Sequence, residues 1–125
     1  MAPVTLGTQA MGSIIRPSSY CGVHGFKLSF GALNRGGGHS LIPSRSYIGT
    51  HANSLEDVWQ VAAYIAETAG GDGGHNALSS GLGVPALSLP KLTADGLPLG
   101  VQLVGFRERD ADLAAIAAWV DRVPG

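Results

Sequence analysis

The sequence has 125 residues, 45% of them hydrophobic and 14% charged, so it can bury the core of one soluble domain. A formal net charge of -1 provides no basic field for nucleic acid or anionic lipid, and the single cysteine, Cys21, excludes an internal disulfide. No apolar run approaches the roughly 20 residues of a membrane span and no signal segment follows Met1, so we expect a cytoplasmic protein that binds neither membrane nor nucleic acid.

The first fifty residues have no sustained hydrophobic period. Short apolar pieces, such as the one from Val23 to Phe30, lie between glycines, so we predict loops laid over a sheet. From Ser54 to Ala69 the apolar residues recur at helical spacing, which predicts a helix with Ser54 as its N-cap. Gly70 ends this helix, and the glycine-rich stretch from residue 70 to 83 predicts a junction into the next strand.

The C-terminal third predicts a strand, a turn, a second strand and a helix. The strands are indicated by short apolar runs from Pro85 to Pro90 and from Leu99 to Val104, and Asp95-Gly96 between them is a strong turn signal. Helical spacing of apolar residues then extends from Asp110 or Ala111 to Val120. Two strands joined by a turn and followed by a helix are typical of the end of an α/β domain.

A loop of small residues, Gly7-Thr8-Gln9-Ala10-Met11-Gly12-Ser13, is the densest local feature of the sequence. Small residues let a backbone approach a ligand closely, and consecutive N–H groups in such a loop can form an anion-binding nest or an oxyanion hole. A serine at the end of the loop is a candidate nucleophile, although composition alone favours a tight turn with a solvated serine. The spacing fits neither the GxSxG elbow of hydrolases nor the phosphate-binding P-loop.

The stretch that contains this loop, GTQAMGSIIRPSSYCGVHGFKLSFGALNRGG, resembles the core signature of the amidase signature family. The shared pattern is a Gly-Thr-acid-or-amide-x-x-Gly-Ser loop, an Ile/Arg/Pro segment and a Cys-Gly-x-x-Gly-aromatic-Lys phrase, all without a gap. Residues 54–71 resemble the helix that follows in that family, introduced here by Ser54-Leu55-Glu56-Asp57. Residues 83–120 resemble its C-terminal segment, so the resemblance covers nearly the whole chain.

This resemblance implies an α/β protein, an incomplete amidase signature fold in which a mixed β-sheet has flanking helices. It also implies an amide hydrolase whose nucleophile is Ser13, which attacks a carbonyl carbon and forms an acyl-enzyme that water then hydrolyses. The backbone N–H groups of Ala10, Met11, Gly12 and Ser13 itself would form the oxyanion hole, and Met11 stands where a smaller residue is common. The implied substrate is a small-molecule amide whose carbon–nitrogen bond is not a peptide bond, and no metal or cofactor is implied.

Two departures from the family pattern bear on activity. The family's general base is an upstream lysine that acts through a second serine, whereas Lys27 and Lys91 both lie downstream of Ser13. A serine without a base is a weak nucleophile, so we expect little or no hydrolysis by this chain alone. The family's long variable region is reduced to residues 72–83, so we expect one partial domain with a nucleophile-loop segment at 1–71, a junction at 72–83 and a C-terminal segment at 84–125.

The sequence leaves other interpretations open. In one hypothesis the chain is an inactive remnant that serves as a small α/β interaction module. In another, a homo-oligomer or a separate chain that supplies the lysine completes it. Arg16, Cys21 and Lys27 are interpreted as structural, and the four histidines lack the paired spacing that would indicate a metal site. We expect Trp59 and Trp119, on or beside the apolar faces of the two helices, to be core residues.

Overall fold

The computed structural model describes residues 2–36, 46–70 and 83–124. These residues form five strands and three helices, which in chain order are β1 (Val4–Gln9), α1 (Ile15–Cys21), β2 (His24–Lys27), β3 (Tyr47–Ala52), α2 (Leu55–Ala69), β4 (Ala86–Ala94), β5 (Leu97–Val104) and α3 (Asp110–Arg122). Residues 72–82 of the predicted junction lie outside the described residues, as do His39 and His75.

All five strands belong to one sheet with the order β1-β3-β2-β4-β5. Each of the four pairings is antiparallel, so the parallel pairing that a mixed sheet would contain is not found among the described residues. The reason lies in the connection from β1 through α1 to β2. These two strands run in the same direction, but β3 enters between them, and Val4 and His24 both face Ala52 of β3. The predicted α/β class with flanking helices is confirmed.

Helices cover both faces of the sheet. On one face α2 and α3 pack against the main core, in which the side chains of Phe26 and Leu87 are 0% exposed. Side chains alternate in direction along a strand, so Gly25 faces α1 whereas Phe26 contacts Trp59 of α2, with 5.9 Å between the ring centroids. Helix α1 therefore lies on the opposite face, where Ile14 is fully buried.

Helix α2 and the β4-β5 hairpin form for reasons that the sequence shows. The Ser54 Oγ caps α2 by accepting a hydrogen bond from the backbone N–H of Asp57 at 3.1 Å. Gly70 follows the last helical turn with a φ of 67°. In the hairpin, Asp95 and Gly96 have φ angles of 52° and 77°, as the two central residues of a type I′ turn require.

The prediction of loops over the first fifty residues is wrong, because β1, α1, β2 and the start of β3 lie there. Several positions between α1 and the sheet hold glycine or serine, so no hydrophobic period marks these elements. A Cβ atom on Gly25 would lie 1.9 Å from the Ser18 Oγ, and one on Gly49 would lie 2.2 Å from the backbone oxygen of Phe26. A side chain at Gly25 would therefore collide with α1, and one at Gly49 would collide with the backbone of β2, so both positions require glycine.

Helix α3 starts at Asp110, as predicted, and extends slightly further than predicted, to Arg122. Trp59 packs against the core, as predicted. The same prediction for Trp119 is wrong, because its side chain is 68% exposed on a side of α3 that faces away from the sheet. None of the described helices combines the length and the apolar character needed to cross a membrane.

Candidate functional site

The predicted nucleophile lies in the loop between β1 and α1. Ser13 is exposed and directly precedes Ile14, the N-cap residue of α1. Gly12 has a φ of 84°, a left-handed backbone conformation that glycine adopts without strain. The loop therefore presents the Ser13 hydroxyl to solvent beside the first turn of a helix.

The residues predicted for the oxyanion hole lie in the same loop. Ala10 and Gly12 are half-buried, whereas Met11 is 74% exposed, so the Met11 side chain points into solvent and does not fill the loop. Within residues 2–36, 46–70 and 83–124, the backbone N–H groups of Met11, Gly12 and Ser13 donate to no acceptor. Free backbone donors of this kind are what an oxyanion hole needs.

The loop is held by the side chain of Gln9, the last residue of β1. Its Oε1 accepts hydrogen bonds from the backbone N–H groups of Ile14 at 2.7 Å and Ile15 at 3.1 Å. A helix start leaves such N–H groups without a partner inside the helix, so Gln9 supplies the missing acceptor. The sequence placed Gln9 in the acid-or-amide position of the signature, but nothing in it pointed to this contact.

A second contact joins α1 to β3. The Ser18 Oγ lies 2.8 Å from the carbonyl oxygen of Ile14 and 2.8 Å from the Nδ1 of His51. The distance to His51 is that of a nucleophile and its base, but Ser18 is 0% exposed on the side of α1 that packs against the sheet, and a substrate carbonyl cannot reach it. Burial lowers the pKa of the His51 imidazole below its ordinary value, which favours the neutral ring.

Two of the concave regions lined by described residues lie on opposite faces of the sheet. A cavity of about 280 Å³ is lined by residues of β1, α1 and β3 and of the turn after α1, namely Thr5, Pro17, Ser18, Cys21, Val23 and His51. The larger region, a groove of about 680 Å³ between α2 and α3, lies on the opposite face of the sheet from α1. Only the smaller cavity is therefore connected to the elements that hold Ser13.

Arg16 and Lys27 have structural contacts, as expected from the sequence. The Arg16 Nη2 lies 3.5 Å from the carbonyl oxygen of Met11, at the outer limit of a hydrogen bond, so the side chain follows the loop. The Lys27 Nζ donates to the carbonyl oxygen of Val84 and lies 3.9 Å from the centre of the Tyr47 ring. Burial lowers the pKa of Lys27 to about 8, an effect that the charge of Asp110 opposes.

Among the residues that the structure describes, His24 is buried without a hydrogen-bond partner. Its side chain is 7% exposed, and the nearest carboxylate oxygen to its Nε2 in this part of the chain is that of Asp121, at 3.6 Å. In the described part of the chain, His, Cys, Asp and Glu side chains do not come together in groups of three or more that could hold a metal ion.

A comparison with protein families matches residues 1–79 to the family described as Amidase. The chain belongs to the amidase signature family. It is 35% identical over 120 residues to a glutamyl-tRNA(Gln) amidotransferase subunit from Brevibacillus brevis, which covers 90% of the chain and 24% of that relative. The subunit of the same name from Chlamydia pneumoniae is 48% identical over 56 residues, which covers 45% of the chain and 11% of the relative. The chain thus spans a quarter or less of these family members.

Solved structures show the same fold. A crystal structure described as an amidase superposes with a TM-score of 0.77 at 18% identity, over 98% of this chain and 63% of that chain. The glutamyl-tRNA(Gln) amidotransferase subunit from Thermotoga maritima also gives 0.77, at 13% identity, over 98% of this chain and 62% of that chain. At such identities the likeness concerns the fold alone, and it confirms the amidase signature fold.

Proposed function

We propose that this member of the amidase signature family carries the nucleophile segment of an amide hydrolase, with Ser13 as the nucleophile. The observation that carries the proposal is an exposed serine next to the N-cap of α1, in a loop that Gln9 holds. Three backbone N–H groups of this loop have no acceptor among the described residues. We place the activity in the cytoplasm and expect a small-molecule amide as the substrate, without a nucleic acid or membrane partner.

In the proposed reaction the Ser13 Oγ bonds to the carbonyl carbon of the amide while its proton passes to a base. Negative charge develops on the carbonyl oxygen, and the N–H groups of Ala10, Met11, Gly12 and Ser13 stabilise it. One such donor typically lowers the barrier by about 2.7–4 kcal/mol. The carbon–nitrogen bond, which is not a peptide bond, then breaks, and the amine leaves with a proton. Water hydrolyses the resulting ester, releases the acid and restores the serine.

The base for Ser13 is the part of this mechanism that needs a partner. Among the described residues, no side chain makes a hydrogen bond to the Ser13 hydroxyl, and Lys27 is occupied by Val84 and Tyr47. We therefore infer weak hydrolysis by this chain alone and a base supplied by a complementing chain or a further copy. The names of the two relatives, each described as one subunit of an amidotransferase, support an assembly of this kind.

The second candidate function is an inactive remnant that acts as an interaction module. Several large apolar side chains are open to solvent, including Leu97 at 69%, Phe106 at 83% and Trp119 at 68% exposure. Exposed apolar side chains of this size are common at surfaces that bind another protein. This candidate predicts stable association without any reaction at Ser13.

Covalent labelling tests whether Ser13 is reactive in this chain alone. The purified chain is treated with an activated fluorophosphonate and its intact mass is measured beside those of Ser13→Ala and Thr68→Ala. Thr68 is a matched control, because its hydroxyl is exposed on α2 and bonds only to the Tyr64 carbonyl. We expect an adduct that Ser13→Ala loses and Thr68→Ala keeps. A folded wild-type chain that never reacts would refute independent reaction at Ser13 and leave the remnant and the complementing chain as the remaining interpretations. An adduct that survives in Ser13→Ala would exclude Ser13 as the nucleophile.

A further inference from the structure

Hydrogen bonds hold both polar groups of the Ile14–Ile15 peptide, which follows Ser13 in the chain. The N–H of the Ile14–Ile15 peptide donates to the Gln9 Oε1 at 3.1 Å, and the carbonyl oxygen of the same peptide lies 2.8 Å from the Ser18 Oγ. The Ile14 side chain is fully buried, with its Cδ1 2.8 Å from where a Cβ on Gly49 would stand. Ser13 is joined to Ile14 by the preceding peptide, whose N–H donates to the same Gln9 oxygen at 2.7 Å, so the backbone that follows Ser13 has little freedom to rotate.

The hydrogen bonds of Ser18 determine which nitrogen of His51 carries the proton. A hydroxyl group has one proton, and the Ile14 carbonyl can only accept, so the Ser18 Oγ donates to Ile14. The Nδ1 of His51 lies 2.8 Å from the same oxygen and must then be the donor. Because burial favours the neutral ring, the proton lies on Nδ1 and the Nε2 keeps a lone pair. Within the described ranges the Nε2 has no hydrogen-bond partner and faces Gly7.

We propose that His51 is a positioning residue for Ser13. In its Nδ1–H tautomer, His51 donates a hydrogen bond to Ser18, and Ser18 in turn donates to the carbonyl of Ile14 and holds it in place. His51 lies on β3, outside the loop that contains the nucleophile, and its Nδ1 contacts Ser18 rather than Ser13. Without its donor the Ser18 hydroxyl is free to turn away from Ile14, whose carbonyl then keeps the longer bond from the Ser18 backbone N–H at 3.4 Å, and the Ile14–Ile15 peptide that follows the nucleophile gains freedom. A nucleophile that spends less time in the productive geometry reacts more slowly. This inference rests on the proposed role of Ser13.

Two amide substitutions distinguish positioning from simple packing. An asparagine places a side-chain N–H near the position of the imidazole Nδ1, whereas a glutamine places it near that of Nε2. We expect His51→Asn to keep the donor to Ser18, and His51→Gln, His51→Ala and Ser18→Ala to lose it. His24→Asn is the matched control, since it changes the other described histidine, which faces α3.

The first readout is the rate at which the fluorophosphonate labels Ser13. The loss of one hydrogen bond predicts a rate about three- to tenfold lower in His51→Gln, His51→Ala and Ser18→Ala, with His51→Asn and His24→Asn within about twofold of the wild type. The second readout is the ¹⁵N spectrum of the imidazole, in which the Nδ1–H and Nε2–H tautomers have different shifts. The third is hydrogen exchange at the Ile14 and Ile15 amides, which we expect to be about tenfold faster in the same three variants.

These readouts separate the positioning role from the proposed function. A wild-type chain that does not react with the probe would remove the evidence for Ser13 as an active nucleophile, and the tautomer and exchange data would still decide the role of His51. An Nε2–H tautomer in the wild type, or equal behaviour of His51→Asn and His51→Gln, would overturn the positioning proposal. Circular dichroism of every variant identifies those that fail to fold.

Discussion

The loop contact of Gln9 allows a quantitative test of how the nucleophile segment is stabilised. Gln9→Leu keeps most of the side-chain volume but removes the acceptor for the N–H groups of Ile14 and Ile15, which are 0% and 6% exposed. A net hydrogen bond contributes about 1 kcal/mol, and a buried donor without a partner costs about 1–3 kcal/mol. We therefore expect the free energy of unfolding to fall by about 2–4 kcal/mol, out of a total of roughly 5–15 kcal/mol for a domain of this kind.

Urea unfolding followed by circular dichroism measures this loss. Gln9→Glu keeps the acceptor and places a negative charge at the start of α1, so we expect its stability at pH 8 to remain within about 1 kcal/mol of the wild type. Gln60→Leu on α2 is the matched control, because its exposed amide bonds only to Glu56. It should change stability by less than about 0.5 kcal/mol. Equal stability of Gln9→Leu and the wild type, or equal losses in Gln9→Leu and Gln9→Glu, would refute the assigned role of the amide oxygen.

Three further expectations follow from packing and burial. Gly49→Ala should lower the free energy of unfolding by more than about 3 kcal/mol, because its Cβ would lie 2.2 Å from a backbone oxygen. Gly96→Ala, with open space around it, should lower it by only about 1 kcal/mol. Similar losses for the two variants in urea unfolding would contradict the close contact at Gly49. His24→Leu should raise the melting temperature and increase the free energy of unfolding by about 1 kcal/mol, since it removes two buried ring nitrogens that have no hydrogen bond among the described residues. A lower melting temperature would show that the contact of His24 with Asp121 outweighs the cost of burying these nitrogens. The pKa of Lys27 is lowered from 10.5 to about 8, so between these pH values the folded chain holds fewer protons than the unfolded chain. The free energy of unfolding should therefore rise by up to roughly 3 kcal/mol as the pH increases from 8 to 10.5, and this gain should be lost as the pH falls back to 8. Denaturant midpoints at pH 7.5 and 9.5 test this rise, which Lys27→Met should abolish.

The elements that the sequence predicted are those whose signals are local. Ser54 caps α2 three residues before its bonding partner, and Asp95-Gly96 forms the hairpin turn that its residue types favour. The elements around α1 were missed because their buried positions hold Gly25, Gly49 and Ser18 rather than apolar residues. A method that reads hydrophobic spacing cannot detect a helix that packs through small residues.

In the candidate site, too, the features that are local in the sequence could be predicted and those that depend on distant contacts could not. Ser13 and its loop were found from the signature pattern, which is continuous in the sequence. The contact between Ser18 and His51 joins residues 33 positions apart, and it depends on the pairing of β3 between β1 and β2. No spacing rule connects a serine in one element to a histidine in another, so this part of the site required the three-dimensional arrangement.

The order of strands in the sheet also bears on how the chain acquires its shape during synthesis. Strand β2 pairs with β3 and β4, which both follow it in the sequence, and β1 pairs with β3 alone among the described strands. Helix α1 lies on strands from both ends of the chain, and the Gly100 N–H of β5 donates to the Ser19 Oγ of α1 at 2.8 Å. Contacts so distant in sequence form slowly. The loop that bears Ser13 precedes β4 and β5 in the sequence, so during synthesis the surface that supports α1 is complete only after these two strands have emerged.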